Sequence, residues 1–292
     1  MTSNKEQPWT VRRLIQWGSD WLGKRKIYAP RLDVELLLAD SLAMTRMDLF
    51  LNMDRPLNQN ELAAFKDRIK RRSQREPVAY ILGQRGFWKQ DFSVGPAVLI
   101  PRPETETLVD SVLSLYPDRD LKFKILDLGI GSGAILYSLL GEFPNACGVG
   151  VDLSQEALQV AEINRDQFKL DDRVSLFTGD LTAPLASDSN YDLIVSNPPY
   201  IVSSELEKLQ PEVADKEPRL ALDGGEDGLA IYRRLIPQAW QFLKPSGWLV
   251  VEIGYDQGKT VPDLFTKAGF KQLSVVTDHG KRDRVVMGMK SG

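Results

Sequence analysis

The tetrapeptide Asn197-Pro198-Pro199-Tyr200 closes an apolar run, YDLIVS, and gathers an unusual set of hydrogen-bonding groups at one point of the chain. Its two prolines remove two backbone donors and fix two backbone angles, while the Pro198 carbonyl stays free to accept. Asn197 adds a side-chain carbonyl. Two rigid acceptors match the two hydrogens of a planar NH2 group and would hold its nitrogen toward a reactive carbon. Tyr200 can supply a flat wall with its hydroxyl left for a partner. The nitrogen of an amide or aromatic amine is a poor nucleophile because its lone pair is delocalised. Orientation and electrostatics must therefore carry such a reaction. The plain alternative is a Pro-Pro turn that caps a strand.

A second cluster lies upstream. The run FKILDL leads through Asp127 into Gly129-Ile130-Gly131-Ser132-Gly133 and then into a helical pattern. Glycines at 129, 131 and 133 let the backbone bend sharply and leave no side chains where a ligand must come close. Alone, this turn is compatible with NAD, FAD or S-adenosylmethionine, and also with a purely structural bend. Asp152 closes the next apolar run about twenty residues on, where a carboxylate can accept both ribose hydroxyls of an adenosine. Asp180 closes the one after that, where it could receive an adenine amino group. Combined with Asn197-Pro198-Pro199-Tyr200, these acids favour S-adenosylmethionine over a dinucleotide, with direct in-line attack on its sulfonium methyl. Asp127 either orders the turn or faces the methionine ammonium. The plainer alternative for each acid is a strand-end cap or turn former.

The elements that must position these groups are legible in the apolar pattern. Val11, Leu14, Ile15, Gly18, Trp21 and Leu22 recur near a helical period. RLDVELLLADSLAM predicts a second helix with Leu32, Leu36 and Ala39 or Ala43 on its apolar stripe. A third starts at Asn58, which has capping-box spacing to Glu61, and carries Leu62, Phe65 and Ile69 before a basic run from Arg68 to Arg75. Such a run suits a helix carboxyl end and needs no ligand. Between Gly86 and Ile100 the period shortens among glycine and proline, which predicts a hairpin at a joint between domains. Beyond it, seven strand candidates interleave with helical patterns, which argues a mostly parallel sheet with helices on both faces.

Composition narrows the remaining choices. The 292 residues suffice for roughly two domains. The single cysteine, Cys147, cannot form an internal disulfide, and the single histidine, His279, leaves no cluster for zinc. No metal is expected, and His279 belongs to a polar surface turn. No signal-peptide core and no spanning apolar stretch is visible, so a cytoplasmic chain without a membrane partner is expected. The net charge of −3 conceals an asymmetry: residues 1–100 carry net +6, and residues 101–292 net −9. The basic third could meet an acidic partner or simply be solvated. Trp9, Trp17 and Trp21 either form a partner-facing patch or pack helices.

The stretches VLIPRPETE, ILDLGIGSGA, SNPPY, EPRLALDGGEDGL and RDRVV, in this order, resemble the class I S-adenosylmethionine-dependent methyltransferases that modify the glutamine amide of peptide chain release factors. RLDVELLLAD and REPVAYILG extend the resemblance into the helical part. It implies a Rossmann-like catalytic domain over residues 101–292, a hairpin linker over 86–100 and a helical substrate-recognition domain over 1–85. It implies that Gly129 to Gly133 hold the methionine portion of the cofactor, that Asp152 holds the ribose, and that Leu181, often aromatic in relatives, lies beside the adenine. Asn197 and the Pro198 carbonyl would hold the glutamine of a Gly-Gly-Gln loop, with Pro199 and Tyr200 completing the pocket and Phe92 and Arg102 beside it. Arg102 could equally pair with Glu104 or Glu106. The products would be N5-methylglutamine and S-adenosylhomocysteine, the enzyme a monomer with no stable nucleic-acid partner. The rival is a nucleic-acid methyltransferase acting on adenine N6 or guanine N2, because a base amino group presents the same two hydrogens.

Overall fold

The computed structural model describes residues 8–188 and 190–291. Residues 1–7, on which the expectation of no leader segment partly rests, lie outside the described residues. The chain divides into two compact units, one of residues 1–83 with 211–216, the other of 84–210 with 217–292.

The first unit is helical: α1 (Val11–Gly23), α2 (Pro30–Ser41), α3 (Arg46–Leu51), α4 (Gln59–Ser73) and α5 (Val78–Leu82). Its core joins Val11, Leu14 and Leu22 of α1 to Val34, Leu37 and Leu38 of α2 and to Phe65 and Ile69 of α4. The Asn58 side chain accepts from the Glu61 N–H, and the Glu61 carboxylate accepts from the Asn58 N–H, so the expected capping box is complete. Helix α2 turns a different face inward from the one its leucines suggest. Leu32 is exposed and Leu36 half-buried, whereas Val34, Leu37, Leu38 and Ala39 are buried. Apolar residues occupy so many positions of α2 that they do not select a face, and the acids Asp33 and Glu35 are buried with them. Glu35 is held by Arg31 and Arg46, and Asp33 by Arg72. The arginines of the basic run closing α4 are spent internally. Arg68 pairs with Asp40, Arg71 with Glu76, and the buried Arg72 bridges Asp33 at 2.6 Å and Glu212 at 2.8 Å. Glu212 sits on a short helix, α9 (Pro211–Ala214), which returns to this unit from far along the chain.

The second unit opens with a hairpin, β1 (Gln84–Phe87) and β2 (Gln90–Ser93), paired from Gln84↔Ser93 to Phe87↔Gln90. The hairpin thus lies earlier than the sequence pattern suggests, and residues 94–100 are irregular. There follow α6 (Glu106–Leu115), β3 (Lys124–Leu128), α7 (Ala134–Glu142), β4 (Cys147–Asp152), α8 (Gln155–Gln167), β5 (Val174–Thr178), β6 (Tyr191–Ser196), α10 (Ala230–Phe242), β7 (Leu243–Glu252), α11 (Thr260–Ala268), β8 (Phe270–Thr277) and β9 (Asp283–Lys290). Strands β3 to β9 form one seven-stranded sheet in the order β5-β4-β3-β6-β7-β9-β8, with β9 antiparallel to both neighbours and the other pairs parallel. Residue alternation splits each strand between two cores. Ile125, Leu193, Val195 and Val250 pack with residues of α6, α7 and α8, whereas Leu126, Ile194, Leu249 and Val251 pack with α10 and α11. Among the described residues no helix is long and apolar enough to cross a membrane.

Removing Arg72 would leave the buried Asp33 without its ion-pair partner and Glu212 with Arg75 alone, at 3.3 Å. Arg72→Ala should lower the stability of the helical unit by about 3–5 kcal/mol, read as the shift of its chemical-denaturation curve in the full chain; an unshifted curve would show that the bridge contributes nothing.

Candidate active site

The parallel strands β4, β3 and β6 end side by side, and a cavity of about 520 Å³ opens at that edge. The glycine turn after β3 forms its floor. The Gly129 and Ile130 N–H groups donate to the Val151 carbonyl at 2.8 and 3.0 Å, which pins the turn to β4. Gly129 and Gly131 have φ of 78° and 55°, and nothing stands within 4 Å of where a Cβ would be. That space belongs to the cavity, so any side chain there would both strain the backbone and enter the ligand's place. Gly133 caps α7 with φ of 84°, and a Cβ on it would run into the Tyr137 ring.

Asp152 stands at the cavity wall and is already oriented. Its Oδ2 accepts from Gly131 N–H and its Oδ1 from Ser154 N–H, both at 2.9 Å. Burial pushes its pKa up, and these N–H donors work against that. Each oxygen keeps a lone pair that could take a ribose hydroxyl. Asp180 lies two residues past β5 rather than at its end, and Arg234 of α10 holds its carboxylate in an ion pair. It lines the cavity, and Arg234 occupies its Oδ2 while its Oδ1 has no donor among the described residues. Leu181, in a left-handed conformation with φ of 53°, gives the cavity an apolar surface beside it. Ile130 and Ser132 of the turn line the cavity too. The open glycine cradle and the oriented Asp152 fit an adenosine-bearing cofactor with a small polar end. Among the described residues no cluster could hold a metal ion.

Asp127 is 1% exposed, does not line the cavity, and neither of its carboxylate oxygens has a hydrogen-bond partner among the described residues. It neither ties the turn nor faces the cavity directly. Burial, with the Asp152 charge adding to it, raises its pKa to about 8.

Asn197, Pro198 and Pro199 line the cavity at the end of β6. The Ser196 hydroxyl donates to the Leu128 carbonyl at 2.6 Å, which locks this strand end to the one bearing the glycine turn. The Asn197 Nδ2 donates to the Thr105 Oγ1 at 3.3 Å. Among the described residues nothing donates to the Asn197 Oδ1 or to the Pro198 carbonyl, so both acceptors are available. Tyr200 is half-buried and does not line the cavity; its hydroxyl donates to Glu252 Oε1 at 3.3 Å, and burial together with the Glu252 charge pushes its pKa up.

Two expected pocket neighbours stand otherwise. Phe92 is fully buried against Phe87 and Phe168 and does not reach the cavity, because the apolar cluster under the hairpin claims it. Arg102 does line the cavity but pairs with Glu217 at 2.6 Å, not with Glu104 or Glu106. Glu217 also accepts from the Ile100 N–H at 3.2 Å and so ties the segment before α6 to the loop after α9. The acids of residues 201–228 are largely occupied in this way: Asp223 accepts from Ser203, Gly225 and Arg219, and Asp227 from Arg233. Thr105, Glu217 and Glu252 were not singled out from the sequence. Glu252 carried a signal, a lone charge in the apolar strand GWLVVEIG.

The chain matches the family model described as PrmC N-terminal domain over residues 13–83 and that described as Methyltransferase small domain over residues 105–216. It is similar to the release factor glutamine methyltransferase of Caulobacter vibrioides, 45% identical over 291 residues that cover 100% of this chain and 98% of that protein. It is 44% identical over 286 residues to the protein of the same description from Geobacter sulfurreducens, covering 98% of this chain and 99% of that one. A methyltransferase from Pyrococcus furiosus shares the fold, with a TM-score of 0.52 at 16% identity over 78% of this chain and 100% of that one.

The buried Asp127 gives the site a measurable pH signature. Its folded-state pKa lies above the ordinary 3.8, so the folded protein holds a proton that the unfolded chain releases, and stability falls as pH rises from about 4 to about 8. Asp127→Asn keeps the shape and removes the titration. The variant, without cofactor, should match the parent in thermal denaturation at pH 4 and melt at higher temperature than the parent at pH 8; an equal shift at both would show that Asp127 does not carry this penalty.

Proposed function

The chain belongs to the release factor glutamine methyltransferase family, and from that premise we infer how its own residues transfer a methyl group from S-adenosylmethionine to the glutamine of a release-factor Gly-Gly-Gln loop. S-adenosylmethionine, when bound, would supply a methyl on a cationic sulfur: the amide nitrogen bonds the methyl as the carbon–sulfur bond breaks, neutral S-adenosylhomocysteine is left, one of the two amide hydrogens departs to solvent as a proton, and no covalent enzyme intermediate is needed. The glycine turn and Asp152 would hold it, the first by open backbone and the second by accepting ribose hydroxyls. Leu181 offers the adenine an apolar contact, and Asp180 can accept from its amino group through Oδ1 while Oδ2 stays with Arg234.

The observation that carries the reading is the pair of free acceptors, Asn197 Oδ1 and the Pro198 carbonyl, fixed at the mouth of the same cavity as the glycine turn. They accept the two hydrogens of the glutamine NH2, which leaves its nitrogen facing the cofactor side with no freedom to rotate. A hydrogen bond to an amide hydrogen also moves electron density onto the nitrogen, which helps a group whose lone pair is otherwise delocalised. Pro198 and Pro199 make the arrangement stiff, so little orientation is lost at the moment of reaction. Arg102, held by Glu217, presents the rim with a cation for the substrate backbone.

In the same reading residues 1–85 grip the release factor outside the tripeptide, 86–100 link, and 101–292 carry out the transfer, in a cytoplasmic monomer. The net −9 of residues 101–292 suits a protein substrate better than a phosphate backbone.

Mass spectrometry of an unmodified release factor incubated with the protein and S-adenosylmethionine should show one added methyl on the Gly-Gly-Gln glutamine. RNA and DNA offered in parallel should stay unmodified. Asn197→Ala should slow transfer about 100-fold while leaving the affinity for S-adenosylhomocysteine within about threefold. Base methylation without glutamine methylation, or an unchanged rate in the variant, would contradict the assignment.

A further inference from the structure

An asparagine side chain can hold an NH2 group only if its carbonyl, not its own NH2, faces that group. The two orientations of the amide are nearly the same in shape, so something must choose between them. Thr105, the hydrogen-bond partner of Asn197, cannot make the choice alone, because a hydroxyl both donates and accepts.

The selecting group lies behind Thr105. Strands β6 and β7 are parallel neighbours in the register Ser196↔Val251, which sets Glu252 beside Asn197 at the same sheet edge. Glu252 is 1% exposed. Its Oε1 receives the Tyr200 hydroxyl at 3.3 Å, and its Oε2 is buried with no donor aligned on it. Thr105 is itself buried, its Oγ1 accepts from Asn197, and among the described residues its hydroxyl hydrogen has no other acceptor. Thr105 is also foremost among the groups that work against the burial of Glu252 to favour its ionised form. A hydrogen bond from the Thr105 hydroxyl to Glu252 Oε2 would satisfy both groups.

We infer that Glu252 is a positioning residue for methyl transfer: through Thr105 it fixes the Asn197 amide with the carbonyl toward the substrate nitrogen, and through Tyr200 it anchors the far end of the same tetrapeptide. The inference rests on the reading of Asn197 as the acceptor for the substrate amide. A carboxylate takes the Thr105 hydrogen, so Thr105 Oγ1 can only accept; Asn197 must then turn its NH2 to Thr105 and its Oδ1 to the cavity. The opposite orientation would set two NH2 groups face to face and leave the substrate's hydrogens without an acceptor. The relay requires Glu252 as the carboxylate, and the groups around it set how readily it ionises. Burial raises it to about 7, the Arg284 guanidinium and the Tyr200 hydroxyl pull it back toward ionisation, and Glu104 pushes the other way. Arg284 is kept in place by Asp278 and the Ile253 carbonyl, and the Tyr232 hydroxyl donates to the Glu252 backbone carbonyl at 2.7 Å.

Glu252→Gln tests this with almost no change of volume, since a glutamine NH2 can donate to Thr105 and release Asn197 to turn over. Single-turnover methylation of a release factor should fall about 30-fold or more, while S-adenosylhomocysteine affinity stays within about threefold and the melting temperature does not drop. Thr105→Val should slow transfer similarly, and the double variant should be no slower than the worse single one, because both act on one relay. In unliganded protein, nuclear magnetic resonance should show the Asn197 side-chain NH2 in contact with Thr105 in the parent and lose that contact in Glu252→Gln. A parental rate in Glu252→Gln, multiplying losses in the double variant, or an Asn197–Thr105 contact that survives the substitution would each overturn the inference. The resonance measurement needs no methyl acceptor, so it decides the orientation of Asn197 even where the parent protein leaves release-factor glutamine unmethylated, a result that would instead overturn the proposed function.

Discussion

Strand β6 runs between β3 and β7, and the site depends on that pairing. Parallel neighbours end at one edge, so the turn after β3, Asp152 at the end of β4, Asn197 after β6 and Glu252 at the end of β7 come together although more than a hundred residues separate the first from the last. The register is enforced by burial on both faces. A slip of one residue in β6 would exchange Leu193 and Val195 with Ile194 between two cores, and each is fully buried where it stands. The hydroxyl of Ser196 on the Leu128 carbonyl then fastens the two strand ends beneath the cavity.

From this frame the chemistry follows with few parts. The protein need not activate a strong nucleophile or store a covalent intermediate. In the proposed reading it must present a weakly nucleophilic nitrogen at a fixed angle, a task given to Asn197 Oδ1 and the Pro198 carbonyl, acceptors without another donor among the described residues. Charge is kept in place rather than in motion: Asp152 is oriented by Gly131 and Ser154, Arg102 by Glu217, and Glu252 by Tyr200. Ordered, water-poor surroundings make such fixed dipoles effective.

Much of this was legible in the sequence, for reasons that can be named. The glycine turn, the acid at the end of β4 and Asn197-Pro198-Pro199-Tyr200 are local signals, each needing particular residue types at particular spacings, and the alternation of strand and helix patterns gave their order. Asn58 and Glu61 announced the start of α4 for the same local reason. What escaped was long-range. The burial of two acids on α2 is met by Arg72 and Arg46, which reach Asp33 and Glu35 from other helices, and no apolar stripe could show that. Arg102 chose Glu217, 115 positions away, over two nearer acids. Phe92 was drawn into a cluster with Phe168, and the pairing of one Asp180 oxygen with Arg234 brings together residues 54 positions apart. Glu252 was visible as a charge in an apolar strand, but its partners Thr105 and Tyr200 appear only once β6 and β7 are paired.

The most direct measurement of the central claim is a structure of the protein with S-adenosylhomocysteine and a Gly-Gly-Gln peptide. The account predicts that the glutamine nitrogen donates to both Asn197 Oδ1 and the Pro198 carbonyl at about 3 Å, with Asn197 Nδ2 still on Thr105. A glutamine whose carbonyl oxygen faces Asn197, or whose amide lies outside the pair of acceptors, would contradict it.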